Sequence, residues 1–345
     1  MFRFVTVLLL ATSLVSLTAK PKIVILATGG TIAGQGESAT GTRYTAGKLP
    51  IDQLLNAVPA IHDKAEITGE QIASIGSQAM HDSVELKLAN RINEILKTAD
   101  GVVITHGTDT KEETAYFLQL TIKSSKPVVL TSAMRNATSI SADGPKNLFD
   151  AVCVAADPAS AGRGVLVVAN DMIFSARDAV KTSTTNVATW QSPTWGPLGV
   201  IFNGIPRFYH RIDRRHTAQA EFDVKGVRVL PRVEILYGYT TMNADLVNTL
   251  VDRGVQGIVF AGVGNGNIFP EVQDALAAAV KKGVVVLRDS RVPSGLTTLD
   301  AETDDKALGF VVADDLSPQK ARILLKVALL QKRDQKDLQR LFFTY

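Results

Sequence analysis

The sequence predicts an α/β protein. A larger amino-terminal domain carries a mostly parallel, doubly wound sheet, and a smaller α/β carboxyl-terminal domain follows. Three observations predict this. Short runs rich in Val and Ile alternate with stretches of helical periodicity, the rhythm of βαβ units. The rhythm weakens from Thr182 to about Pro231, around Trp190, Trp195 and four prolines (Pro193, Pro197, Pro206 and Pro231), and then resumes. Finally, 345 residues at 46% hydrophobic content are enough for two full cores.

The elements follow in order. Ile23-Val24-Ile25-Leu26 is a buried first strand. Ile72 to Ile75 is a short strand, followed by a helix from about Asp82 to Thr98 with Leu88, Ile92, Ile95 and Leu96 on one stripe. Val102-Val103-Ile104 is the next strand. Thr110-Lys111-Glu112-Glu113 reads as a capping box opening a helix through Leu118 and Ile122. Pro127–Leu130 and Gly164–Val168 are strands flanking a helix from Pro145 to Ala156, on which Cys153 is a small core residue. The second domain reads as strand Val233–Leu236, helix Ala244–Asp252, strand Gly257–Phe260, helix Glu271–Lys282 and strand Val284–Leu287. A last helix begins at Ser317-Pro318, an N-cap with proline at the first helical position. The boundaries are 20–209 for the amino-terminal domain, 210–231 for a linker and 232–345 for the carboxyl-terminal domain.

Ahead of these, Arg3, an apolar run from Val5 to Val15, and small residues through Ala19 form the pattern of a secretory signal peptide. The run falls short of the ~20 residues of a membrane span. Residues 1–19 are therefore expected to be removed, leaving a periplasmic protein with no membrane attachment. The formal charge of +3 drops to about +2 without Arg3, which argues against nucleic acid as a partner. The clusters Arg211–Arg215 and Lys332–Arg340 read as a solvated loop and a solvated helix face. One cysteine permits no internal disulfide.

Three loops that follow strands pair glycine with hydroxyl or carboxylate groups: Gly29-Gly30-Thr31, Gly76-Ser77-Gln78 and Gly107-Thr108-Asp109. In a doubly wound sheet such loops meet in one crevice. Ala27-Thr28-Gly29-Gly30-Thr31-Ile32-Ala33-Gly34 is neither a phosphate loop nor a dinucleotide fingerprint. A threonine hydroxyl becomes a nucleophile only when a base takes its proton. His62, His81, His106, His210 and His216 show no metal spacing, no Gly-x-Ser-x-Gly elbow is present, and His106 reads as a packed residue. Lys181 could serve if burial lowered its pKa; by spacing alone the solvated lysine is the better reading. The second domain offers Gly262-Val263-Gly264-Asn265-Gly266-Asn267, Ser290–Gly295 and Asp300-Ala301-Glu302.

Taken together, these residues resemble the bacterial-type L-asparaginases, specifically the exported type II branch with its glutaminase-asparaginase relatives. The likeness is carried by Ala27–Gly34 and by Ile104-Thr105-His106-Gly107-Thr108-Asp109-Thr110. Tyr44–Lys48, Ile75–Gln78, Ser141–Pro145 and Gly262–Asn267 support it, over essentially the whole mature chain. The resemblance implies hydrolysis of L-asparagine to L-aspartate and ammonia through a threonine-linked acyl-enzyme, with L-glutamine open as a second substrate. It makes Thr31 the nucleophile, with Tyr44 and Glu302 completing its triad, and Thr108, Asp109 and Lys181 a second triad. Substrate would be held by Gly30, Gly76, Ser77, Gln78, Gly107, Thr108, Asp109 and Asn267. Asn267 and Glu302 would come from a neighbouring subunit, within a homotetramer built as a dimer of intimate dimers. No metal or organic cofactor is implied.

The glycine-rich segment around Gly34, Gly36, Gly41 and Gly47 reads as a lid closing over substrate. Several positions depart from the family pattern. The disulfide frequent in type II enzymes is absent, its region reading Leu96-Lys97 and Ser124-Ser125. Asn136 stands where proline is usual, and Ala79 and His81 replace acidic or amide residues. Asparagine and glutamine differ by one methylene, worth only ~1–3 kcal/mol in a pocket, so their ranking stays open. Competing readings are an enzyme acting mainly on glutamine, a periplasmic amino-acid-binding protein with two α/β domains, and a Rossmann oxidoreductase lacking its fingerprint.

Overall fold

The computed structural model describes residues 19–345. The expected signal peptide lies outside them, except for Ala19. The amino-terminal region opens with β1 (Lys22–Gly29), the short ribbon β2 (Gln35–Gly36) and β3 (Tyr44–Thr45), helices α1 (Ile51–Asn56) and α2 (Ile61–Lys64), and β4 (Glu66–Ile75). Helix α3 (Asp82–Ile95), β5 (Gly101–Thr105), α4 (Lys111–Thr121), β6 (Val128–Thr131), α5 (Gly144–Ala156), β7 (Val165–Ala169) and β8 (Met172–Ser175) follow. Then come the two-residue strands β9 (Val180–Lys181) and β10 (Trp190–Gln191), and the hairpin β11 (Gly199–Phe202) and β12 (Ile205–Phe208).

These build an eight-stranded sheet in the order β12-β11-β8-β7-β6-β5-β1-β4. From β4 to β7 every pairing is parallel, and from β7 outward every pairing is antiparallel. Alternation along the central strands explains the double winding. Leu26, Val102, Ile104, Val128 and Leu130 pack with α3 and α4 on one face, while Ile23, Ile25, Val103 and Val129 pack with α5 on the other.

The second region comprises β13 (Val233–Tyr237), α6 (Asp245–Asp252), β14 (Gly257–Gly262), α7 (Pro270–Lys281), β15 (Val285–Ser290), α8 (Asp305–Leu308), β16 (Val311–Val312), α9 (Pro318–Ala328) and α10 (Gln335–Thr344). Its four strands pair in sequence order, all parallel. The sheet's core is continuous with that of the larger region, because Ala321, Leu324 and Leu325 of α9 belong to the same cluster as Leu118 and Leu120 of α4.

Several expectations need correction. The strand expected at Ile72–Ile75 begins at Glu66; it is an edge strand, mostly solvent-facing on this chain, so its polar first half carries no apolar signal. The capping box does not form: the Thr110 hydroxyl donates to the Ser77 carbonyl (2.9 Å), and Glu113 pairs with Arg322. The Ser317 hydroxyl makes no cap bond, and the helix it opens is not the last, since α10 follows. Neither basic cluster is merely solvated. Arg214 pairs with Asp314 (2.7 Å), and Arg333 and Arg340 converge on Glu221 and Asp337. Segment 210–231, expected as a linker, buries Ala220, Phe222 and Val224.

Polar contacts join the end of α3 to the turn after α4. Lys126 Nζ donates to the Leu96 and Ala99 carbonyls (2.9 and 2.6 Å), and Lys123 N–H donates to Asn93 (2.8 Å). Cys153 is buried in α5, where burial pushes its thiol up to about 11 and keeps it unreactive.

Candidate active site

The carboxyl ends of β1, β4 and β5 bring three loops together. Contact between Gly30 and Gly107 joins two of them. Gly30 has φ 80°, and a Cβ there would lie 2.3 Å from the Gly107 Cα and N. Only glycine permits that backbone conformation and approach together. Gly30 N–H donates to the Ile75 carbonyl (2.8 Å), which fixes the third loop beside the first two.

Thr31, 7% exposed, begins a short 3₁₀ turn after Gly30. Its Oγ1 lies 2.8 Å from the hydroxyl of Tyr44, delivered by β3. The Tyr44 ring lies against Gly34, where a Cβ would come within 2.8 Å of the ring edge. Tyr44 is itself 41% exposed, and the loop between β2 and β3 is solvated. That loop is tied by Ala137 N–H to the Gly34 carbonyl and Ile140 N–H to the Ala39 carbonyl (each 3.0 Å), and by Gly36 N–H to Thr138 Oγ1 (3.0 Å). Asn136 accepts from the Thr138 hydroxyl (2.7 Å) and so shapes this support.

The second constellation is more densely bonded. Lys181 Nζ donates to Thr108 Oγ1 (2.9 Å) and to Asp109 Oδ1 (2.6 Å). Thr108 is buried and the Lys181 side chain is only 18% exposed, so this is not the solvated lysine that spacing alone allowed. Ser77, also buried, accepts from Asp109 N–H (3.0 Å), while Gln78 is exposed at the crevice rim beside Gly76. Beneath the loop, His106 is fully buried. Its Nδ1 lies 2.7 Å from the Gly107 carbonyl and its Nε2 3.1 Å from the Thr114 hydroxyl. Burial holds its imidazole down to about 4, so it is neutral and structural at neutral pH.

Asn267 and Glu302 pair with each other (2.6 Å) in the smaller region. Within one chain Tyr44 bonds Thr31, and Glu302 bonds Asn267; the two halves of the expected first triad are not joined. Arg288 organises the Asn267–Glu302 end. It grips Asp305 with two bonds (2.7 and 2.6 Å) and donates to the Asn265 and Thr298 carbonyls (2.8 and 2.6 Å).

Reading residues alone misses Glu112 and Arg288. Glu112 accepts from Lys181 N–H (3.1 Å) and thereby seats β9. Helical-cap logic draws attention to Glu113 instead, and nothing local marks Glu112. Arg288 has a usable signal: a charged residue directly after Val285-Val286-Leu287 in a buried strand requires a buried partner.

Chemically, the arrangement presents two hydroxyls on adjoining loops, an amine on one of them, and carboxylate and N–H groups for a zwitterion. Comparison with known proteins agrees. Residues 22–214 match the family model "Asparaginase, N-terminal", and residues 232–342 match "Glutaminase/Asparaginase C-terminal domain". The chain is 54% identical over 327 residues to L-asparaginase 2 of Escherichia coli K12, covering 95% of this chain and 94% of that one. It is 45% identical over 332 residues to the glutaminase-asparaginase of Pseudomonas fluorescens biotype A, covering 95% and 91%. A crystal structure from Campylobacter jejuni, named "Probable Cytoplasmic L-asparaginase", superposes with TM-score 0.92 at 48% identity, covering 94% of this chain and all of that one.

Proposed function

This chain belongs to the asparaginase family, and from that premise we propose that it hydrolyses the side-chain amide of L-asparagine to L-aspartate and ammonia through a threonine acyl-enzyme. The observation that carries the reading is the Lys181–Thr108–Asp109 cluster set beside the Thr31–Tyr44 pair. A binding protein has no need of an amine hydrogen-bonded to a buried hydroxyl.

In this reading Thr31 Oγ1 attacks the amide carbon, with Tyr44 accepting or relaying the hydroxyl proton. The developing oxyanion is stabilised by hydrogen-bond donors at the loop, each worth roughly 3 kcal/mol where well aimed. The leaving nitrogen takes a proton and departs as ammonia. Water, activated through Thr108 and Lys181, then opens the ester to aspartate and restores the Thr31 hydroxyl. Ser77, Gln78 and the backbone at Gly30, Gly76 and Gly107 hold the α-carboxylate, while Asp109 attracts the α-ammonium. The segment from Gln35 to Thr45 closes as a lid; hydrogen exchange there should slow when aspartate binds, and unchanged exchange would refute the closure.

Asn267 and Glu302 complete a neighbouring subunit's site, in a homotetramer assembled as a dimer of intimate dimers. Exposed Val292, Leu296 and Leu299 lie along the same loop region as Glu302, the apolar surface such an interface needs. The domain limits we propose are 20–209 and 232–345. The protein acts in the periplasm after loss of residues 1–19; among the described residues, no helix is long and apolar enough to cross a membrane. Glutamine is a second substrate in this reading, given the likeness to a glutaminase-asparaginase.

The test is ammonia release by the purified mature protein, with asparagine and glutamine assayed in parallel over a range of concentrations. Faster turnover of asparagine supports the proposal, and comparable rates move it to a glutaminase-asparaginase. Silence on both, with tight amino-acid binding, overturns it in favour of a binding protein.

A further inference from the structure

Lys111 is the first residue of α4, two positions beyond Asp109, and is completely buried. Its Nζ donates to Ser132 Oγ (2.7 Å), just past the end of β6. On another side the same amine sits over the face of Trp190, 3.9 Å from the ring centroid. Trp190 is the register partner of Lys181 across the β9–β10 ribbon. The indole Nε1 is buried without a hydrogen-bond partner, so no polar contact of its own fixes the ring. What lies against its face is the Lys111 amine, drawn to the negative π surface. Burial pushes this ammonium well below the usual lysine range; the Asp143 carboxylate opposes the push and the Lys181 ammonium adds to it. A buried amine with no carboxylate directly bonded to it is costly, and an apolar side chain would pack there at lower cost.

We infer that Lys111 is a positioning residue for the second constellation: its amine clamps Trp190 and Ser132 to the start of α4, and so holds Lys181 at Thr108. β9 and β10 are only two residues each, and their two register pairs alone give Lys181 little stiffness. Glu112 fixes the Lys181 backbone from the α4 side, while Lys111 fixes the opposing strand through the ring. The first turn of α4, which follows Asp109, therefore grips both strands of the ribbon.

This inference rests on the amidohydrolase reading, and its test keeps the two apart. Lys111→Met retains the stem but removes the amine. We expect its kcat for asparagine to fall roughly 5- to 20-fold with KM within about twofold, and its Tm to be equal or higher, since a buried amine with no carboxylate bonded to it has gone. A residue serving only to pack would not lower activity while leaving or raising stability. Trp190→Leu should lose a similar factor, and the double variant no more than either alone, because both act through one contact. If Lys111→Met fails to fold, Trp190→Leu carries the kinetic test.

A turnover-independent readout is the rate at which acetic anhydride acetylates Lys181, followed by mass spectrometry. We expect that rate to change at least about threefold in either variant. Undiminished kcat, losses that multiply in the double variant, or unaltered Lys181 acetylation would each overturn the clamp. Absence of ammonia release by the parent protein would overturn the enzyme reading instead, and the acetylation result would still decide the role of Lys111.

Discussion

The two threonine loops sit side by side yet are held differently. Thr108 is buried in a dense set of contacts: Lys181, the exposed Asp109, Ser77, the neutral His106 below and the α4 helix behind. Thr31 depends on one hydroxyl contact from Tyr44, which hangs on a solvated ribbon of two-residue strands. The Thr108 loop suits a group that must keep its proton geometry fixed between steps. In the proposed mechanism the Thr31 loop carries the nucleophile and the β2–β3 ribbon the lid, and the ribbon's exposure leaves few buried contacts to oppose its opening. The Gly30–Gly107 contact lets a solvent-exposed half and a densely bonded half share one crevice.

The severest test of this contrast lies at its centre. Thr31→Ala should abolish turnover, lowering kcat by at least about 10³-fold with the circular dichroism spectrum and Tm unchanged. A fully active variant would sink the nucleophile assignment. Lys181→Met tests the densely bonded half, and a loss of about 10²- to 10⁴-fold in kcat is expected for removal of a general base. A loss under threefold would mean that Thr108 needs no amine.

The densely bonded half also has a pH signature. His106 is held down to about 4 in the folded protein and returns to its ordinary range of about 6.5 when unfolded. The unfolded state therefore binds a proton that the native state refuses, so His106 contributes stability above pH 6.5 that is lost as pH falls towards 4. The full difference is roughly 3 kcal/mol. Glu85, next along through Thr114, runs the other way: burial raises it to about 7, and the stability its neutral form retains is lost as pH rises through that value. Thermal melts between pH 4 and 6.5 should show a shallower acid slope for His106→Gln than for the parent. Identical slopes would mean that His106 titrates alike in the folded and unfolded chain.

Tyr44→Phe probes the solvent-exposed half with the smallest change. It deletes the one hydroxyl contact to Thr31, and a drop of roughly 10- to 100-fold in kcat with Tm unchanged is expected. A loss as large as that of Thr31→Ala would show that the lid tyrosine is no less essential to the chemistry than the nucleophile, and the two loops would then differ in exposure alone.

Much of this site was legible from residues alone because glycine, threonine and strand-end position carry meaning locally. Gly30 and Gly107 can be read as turn residues before threonines, and the strands feeding them as apolar runs. What was hidden arose from contacts far along the chain. The first half of the edge strand, from Glu66 to Gln71, lacks an apolar pattern because it is mostly solvent-facing and so needs no apolar side chains. The Thr110 hydroxyl could have capped α4 or reached Ser77, and only the approach of the 76–78 loop favours the latter. The basic stretch at Lys332–Arg340 gave no sign of Glu221, over a hundred residues earlier, to which Arg333 and Arg340 turn.

The α/β alternation, the family and the three loops bearing hydroxyls all follow from the order of residues, because periodicity and backbone permission are properties of chain neighbours. Packing settled whether Lys181 is a solvated lysine or the amine on Thr108, that Lys111 is buried over Trp190, and that Asn267 and Glu302 pair away from Tyr44 within one chain. Those outcomes depend on burial and on groups brought together across long stretches of chain. Burial and long-range pairing belong to the folded molecule, and no local pattern encodes them.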